Sequence, residues 1–266
     1  MGLYTAPLLN SYQNMKRLLI LGGTGGAEKL ATQLRAIARS KTTSIPELEV
    51  IVSLAGRTRA PLQSSDRVGG FGGVAGLQDY LQTMSIDLLI DATHPFAAQI
   101  SHHAAVAAAE VGIPRLMLVR PPWEKVEGDR WIEVDSNAYA AQILPTVAQR
   151  IFLTIGRQEL AVYSYLPALW FLMRMIDPPL SNTPIPPGEI LLDRGPFDLS
   201  QERSLLRQYQ IGAIVSKNSG GEATYSKILA ARELGLPVVM VQRPPVPDSE
   251  KVSSVAEAID WCAMAL

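Results

Sequence analysis

The chain has 266 residues, 47% apolar and 18% charged, with three histidines, one cysteine and a formal net charge of −1. That composition fits a soluble globular protein of one large or two moderate domains, and offers no basic footprint for nucleic acid or an anionic membrane surface. One cysteine excludes an internal disulfide and a cysteine-built metal centre, and no apolar run reaches the ~18 residues of a membrane helix.

The N-terminal MGLYTAPLLNSYQN has neither the basic start nor the long apolar core of a signal peptide. Residues 1–14 are expected to be a loose leader, and a cytoplasmic location follows by default. The first strong pattern, KRLLILGGTGGAEKLATQL, reads as a strand, a glycine-rich turn and an amphipathic helix. Laid on the dinucleotide fingerprint, Gly22 takes the first position, Thr24 the second and Ala27 the third. Glycines allow the turn, and the helix start offers N–H donors to a pyrophosphate at Gly22, Gly23, Thr24 and Gly25. A bare structural turn is the other reading of this stretch.

The next strand ends in VSLAGRTRAP, with Ser53, Gly56, Arg57 and Arg59 and no carboxylate. NAD-binding folds place an acid there for the ribose hydroxyls, whereas a hydroxyl and guanidinium donors suit a 2′-phosphate. NADPH is therefore favoured, with NADH as the other candidate; arginines that merely solvate the loop are the alternative. RVGGFGGVAGLQDYL follows, with five glycines from Gly69 to Gly76 that either turn tightly or admit a ligand.

LLIDATHPFAAQISHH, from Leu88 to His103, holds every histidine. The strand ends at Asp91, ATHPF is its loop, and the remainder opens a helix. His102 and His103 are consecutive and face different ways, and the spacing of metal ligands is absent, so no metal site is expected. His94 stands apart in the loop, at the carboxyl end of a strand, where it can orient a nicotinamide or a carboxylate or supply a proton.

IPRLMLVRPP completes the first half. RIFLTIG, LWFLMRMID, GEILLDRG, IGAIVSKN and LPVVMVQRPP supply the strands of the second, and Cys262 lies on the last helix as a buried thiol. Aliphatic runs alternating with helical segments predict parallel sheets covered on both faces. AAAEVGIPRLMLVRPP (Ala107–Pro122) matches AARELGLPVVMVQRPP (Ala230–Pro245) at nine of sixteen positions, with a constant offset of 123. A similar helix follows each copy, and each half opens on an Arg-led strand, at Arg17 and Arg150. Duplication predicts two similar open α/β domains, residues 15–148 and 149–266, facing a central cleft. Carried upstream, the offset places His94 on Lys217, Thr93 on Ser216 and Ser101 on Thr224.

ILGGT, SLAGRT, RVGGFGG, DATHPFA, RPPW, LTIGRQEL, MRMIDPP, ILLDRGPF and VSKNSGGEATYSK together resemble the precorrin-6A reductases of corrin biosynthesis, from Lys16 to about Pro245. The resemblance implies two Rossmann-like domains and NADPH-dependent reduction of one double bond in a macrocycle rich in carboxylates, either metal-free or cobalt-bearing. It puts Asp91, Ala92, Thr93 and Pro95 near the nicotinamide. Arg157, Lys217, Ser219, Gly220 and Thr224 would meet the carboxylates of the tetrapyrrole. His94 is the candidate proton donor, with solvent or a substrate carboxyl as alternatives. The family usually has Glu two places after the GGT threonine, where this chain has Gly26. Two rival readings are an enzyme of the same fold acting on another polyanion and a nucleotide-sensing module without turnover.

Overall fold

All nine aliphatic segments form strands in the structure, a computed structural model that describes residues 15–40, 47–56 and 66–266. The chain runs β1 (Lys16–Leu21), α1 (Gly25–Arg39), β2 (Leu48–Leu54), β3 (Arg67–Val68), α2 (Val74–Thr83), β4 (Leu88–Asp91), α3 (Ala98–Val111) and β5 (Arg115–Leu118). It continues through β6 (Arg130–Val134), α4 (Asn137–Val147), β7 (Arg150–Leu153), a 3-10 turn at Arg157–Tyr163, β8 (Trp170–Met175) and β9 (Gly188–Leu192). The remainder is α5 (Leu199–Gln208), β10 (Ala213–Lys217), α6 (Ser226–Glu233), β11 (Pro237–Val241), β12 (Glu250–Val252) and α7 (Val255–Ala265).

Two parallel sheets result, ordered β12-β5-β4-β1-β2-β3 and β6-β11-β10-β7-β8-β9. β1 shows why its sequence has no polar face. Leu18 and Ile20 pack with Leu30 and Leu34 of α1 on one side, while Leu19 and Leu21 pack with Leu77 and Leu81 of α2 and Ala104 of α3 on the other. Helices on both faces leave no wet side for a polar residue. Each fully buried leucine contributes about 1.5–3 kcal/mol, so a polar residue at any of the four would break the layering. The expected fold class, two Rossmann-like parallel-sheet units, is the observed one.

The helix ends follow the repeat. Gly112 after α3 has φ +79° and Gly235 after α6 has φ +64°, the left-handed closure that favours glycine.

The expected boundary near Gln149 is not where the chain divides. One compact unit comprises the chain up to Arg120 together with Pro245–Leu266, and the other is Pro121–Pro244. β6 pairs with β11, Trp131 opposite Val238, so the last βα segment of the first half belongs to the second sheet. Reciprocally, β12 pairs with β5, Glu250 opposite Leu116, and α7 buries Ala258, Trp261 and Cys262 in the core around β1. The two halves have exchanged their final βα segments. The two Arg-Pro-Pro motifs mark the crossings, where proline, lacking an N–H, ends the strand ladder. The expected leader at residues 1–14 lies outside the described residues.

Ile90 sits opposite Leu116 and Val215 opposite Val239, so β4 matches β10 at 125 residues, not 123. Lys217 therefore corresponds to Ala92, Asn218 to Thr93 and Ser219 to His94. The stretch between strand and glycine is two residues shorter in the second half, and α6 is shorter than α3.

Candidate nucleotide and substrate sites

In each sheet the strand order reverses beside the first strand, between β1 and β4 and between β7 and β10. Crevices at the carboxyl ends of such strands are where open α/β sheets bind ligands. Of the described residues singled out in the sequence, 22–25 and 91–95 lie at the carboxyl ends of β1 and β4, Ser53 and Gly56 at that of β2, and Arg157 and 217–224 beyond β7 and at and beyond the end of β10.

In the first unit, Gly22 and Gly23 leave β1. Gly22 donates its N–H to the Ser53 carbonyl at 2.9 Å, and Gly23 has φ +110°. Thr24 explains why the second fingerprint position is not glycine. Its hydroxyl accepts from the Ala27 amide at 3.2 Å, capping α1, and donates to the Ala92 carbonyl at 2.8 Å. One side chain thus ties the helix start, whose first residue is Gly25, to the loop after β4. At Gly26 a Cβ would make only ordinary contacts, so this position is not sterically bound to glycine.

Asp91 and Ala92 are each 1% exposed. The Asp91 carboxylate turns inward and accepts at Oδ1 from the Thr93 amide at 3.1 Å and the Thr93 hydroxyl at 2.6 Å. His94 Nδ1 accepts from the Phe96 amide at 3.2 Å, which leaves the imidazole proton on Nε2. His102 is exposed and His103 half-buried on α3. Among the described residues no three His, Cys, Asp or Glu side chains form a group able to hold a metal ion.

Thr24 and Gly26, Thr93 and Pro95 line a cavity closed by Arg120 at the end of β5 and by Ser253 in the returning segment. Burial lowers the pKa of Arg120 from its ordinary value. Sequence reasoning missed Arg120 and Ser253. The doubled Arg-Pro-Pro pointed to Arg120, but Ser253 joins this unit only through the segment exchange.

At the carboxyl end of β2, Ser53 is buried, and its hydroxyl accepts from Nη1 of Arg67 at 3.2 Å. Arg67 also donates to the carbonyls of Gly69 and Gly70, at 2.5 and 2.9 Å, and lies 3.7 Å over the Phe71 ring. The glycine-rich segment is thus wrapped around a guanidinium. Within it Gly72 and Gly73 have φ +82° and +100°, and a Cβ on Gly76 would fall 1.7 Å from the Phe71 carbonyl oxygen. Gly56 has φ +71°. Arg57 and Arg59 lie outside the described residues, and Arg67 is a cation at this strand end that the sequence reading passed over, although it opens the quoted RVGGFGG.

In the second unit, Arg157 begins the 3-10 turn after β7 and donates to the Pro178 carbonyl at 3.0 Å. Lys217 ends β10 with its ammonium 3.7 Å from Glu159. The following loop is braced from several sides. Asn218, 4% exposed, accepts from the Trp123 amide at 2.8 Å and donates to the Trp123 carbonyl at 3.1 Å. Arg243 donates to the carbonyls of Asn218 and Ser219 at 2.9 and 3.0 Å. Gly220, with φ +68°, passes so close to Pro121 that a Cβ would lie 1.9 Å from its carbonyl oxygen. The Thr224 carbonyl accepts from the buried ammonium of Lys227 at 2.7 Å. Asn218, Arg243 and Lys227 were not anticipated; the first and last stood inside the quoted VSKNSGGEATYSK.

Comparison with known proteins bears on these sites. Residues 17–263 match the family model described as precorrin-6x reductase CbiJ/CobK. A protein of Rhodococcus erythropolis named precorrin-6A reductase is 48% identical over 250 residues, covering 93% of this chain and 97% of its own length. A cobalt-precorrin-6A reductase of Priestia megaterium is 28% identical over 91% of this chain and 96% of its own. The solved structure of a CobK precorrin-6A reductase superposes with a TM-score of 0.85 at 41% identity, covering 94% of this chain and 97% of that one. With nearly the whole chain matched and both sheets shared, this chain belongs to the precorrin-6x reductase (CbiJ/CobK) family.

Proposed function

We propose that this protein reduces one double bond in the macrocycle of precorrin-6A, with NADPH as reductant, in the assembly of cobalamin. The match of residues 17–263 to the reductase family carries the reading. The metal-free substrate is favoured because relatives named precorrin-6A reductase are 41–48% identical to the chain, against 28–29% for those named for the cobalt form.

When bound, NADPH supplies the hydride, and the chain's task is positioning and charge. The residues fit such a group. Backbone N–H groups at the start of α1 and the Arg120 guanidinium converge on one cavity, as a pyrophosphate requires. Ser53 and Arg67 offer hydroxyl and guanidinium donors for a 2′-phosphate. Asp66, the carboxylate preceding β3, accepts at Oδ2 from the Val52 amide at 2.7 Å and from Arg35 at 2.5 Å, which turns that oxygen to β2 and α1.

His94 presents Nε2–H as a hydrogen-bond donor. General-acid duty would need a second proton on Nδ1, displacing the Phe96 amide, so His94 orients a ligand oxygen and does not protonate carbon. Arg157, Lys217, Ser219 and the backbone at Gly220 receive the carboxylates of the tetrapyrrole, on a loop held rigid by Asn218 and Arg243.

The test is anaerobic incubation of the protein with precorrin-6A and NADPH, followed by mass spectrometry of the macrocycle. The product should carry the mass of two added hydrogens. Recovery of unchanged precorrin-6A would remove the reading.

A further inference from the structure

Three buried side-chain polar atoms of the first unit have no hydrogen-bond partner among the described residues: Asp91 Oδ2, Arg115 Nη1 and Ser249 Oγ. They belong to neighbouring strands. Leu89 of β4 lies opposite Arg115 of β5, so Asp91, two residues on, shares the face of Arg115. Glu250 of β12 lies opposite Leu116, which brings Ser249 beside Arg115 on the other flank.

Neither charge is idle on its other side. Asp91 Oδ1 holds both the amide and the hydroxyl of Thr93. Arg115 Nη2 donates to the Asp248 carbonyl at 3.0 Å. Burial lowers the pKa of Arg115 and the charge of Asp91 acts against that, so the two groups already sense each other. A half-paired buried carboxylate beside a half-paired guanidinium is costly unless something closes the gap, and an ordered water with several polar partners does so.

We propose that Arg115 is a positioning residue for the nucleotide loop: through one buried water shared with Asp91 Oδ2 and flanked by Ser249, it fixes the carboxylate that shapes Thr93. This rests on the reading that the loop from Asp91 to Pro95 meets the nicotinamide nucleotide. Asp91, 1% exposed, cannot touch that ligand directly, whereas Thr93 lines the cavity. Because Asp248 and Ser253 both stand in the returning segment, the network also fastens that segment to the loop it helps to enclose.

The test combines a crystal structure of the nucleotide-free protein with NADPH titrations and urea unfolding of Arg115→Met, Arg115→Lys, Asp91→Asn and the double variant Arg115→Met/Asp91→Asn. The crystal structure should show a water within hydrogen-bonding distance of both Asp91 Oδ2 and Arg115 Nη1. Arg115→Met and Asp91→Asn should each weaken NADPH binding about tenfold, the double variant no further than either, and Arg115→Lys should keep most of the parent's affinity. Losses that multiply in the double variant, Arg115→Met binding NADPH as the parent does, or side chains turned apart with no shared water would each overturn the proposal. A parent protein that binds no NADPH overturns the nucleotide reading; the crystal structure and the non-additivity in unfolding then decide the pair on their own.

Discussion

Arg67 reaches from β3 to the hydroxyl of Ser53 on β2, donating a hydrogen bond of 3.2 Å from Nη1. The pair sits where dinucleotide folds discriminate between ribose and its 2′-phosphate, and the same guanidinium holds the glycine segment from Gly69 to Phe71.

Arg67→Ala should therefore erode the preference for NADPH more than it weakens nucleotide binding in general. Fluorescence titrations with NADPH and NADH should show the ratio of affinities falling about tenfold, the worth of one charge-assisted contact of ~1.5 kcal/mol. Equal losses for both nucleotides would assign Arg67 to the loop fold alone.

Asn218 and Trp123 exchange two hydrogen bonds, so Asn218→Ala leaves the half-buried amide and carbonyl of Trp123 without their partner. Urea unfolding should show a loss of about 1–3 kcal/mol, and the KM for the tetrapyrrole should rise as Lys217 and Ser219 lose their brace. Unchanged stability would mean that water replaces the amide and that the loop is not held here.

Lys227 is enclosed, with its ammonium on the Thr224 carbonyl and 4.9 Å from the Trp123 ring centroid. Burial, with Arg174 adding to it and Glu202 opposing, pushes its pKa down to about 7 from 10.5. Between those values the unfolded chain binds more protons than the folded one, so stability rises with pH across that window. The slope for one proton is about 1.4 kcal/mol per pH unit. Lys227→Met should remove that rise, seen as a flatter difference in unfolding free energy between pH 7 and 10. An unaltered slope would place the charge in water.

His94→Gln keeps a donor near the position of Nε2. It should hold kcat within about tenfold of the parent, as the proposed orienting role requires; loss of a general acid costs roughly 10²–10⁴. A loss in that range, with the alkaline limb of the pH–rate profile abolished, would return the proton to His94.

The strands, the glycine turn and the split between His94 and the helix histidines were legible because each rests on local chemistry: aliphatic runs, backbone freedom, loop against helix. Cys262 is likewise the inert thiol its helix suggested, with burial pushing its pKa up to about 12. The domain boundary was not legible. The similarity of α4 and α7 and the doubled Arg-Pro-Pro marked the repeat but not which sheet each terminal strand would join, a choice made by pairing between β6 and β11 and between β12 and β5. The same blindness to tertiary pairing hid Ser253 and put Lys217, not Ser219, in register with His94. Arg67 was missed because the cations adjacent to Ser53 in sequence drew the assignment, while β3 supplies one from across the sheet.

The proposed function turns on direct hydride transfer from NADPH to the macrocycle. NADPH deuterated at the transferable C4 position, incubated anaerobically with the protein and precorrin-6A, tests it in one step. The reduced macrocycle should carry one deuterium on carbon, with one NADPH consumed per molecule. Unoxidised NADPH and a macrocycle free of deuterium would contradict it.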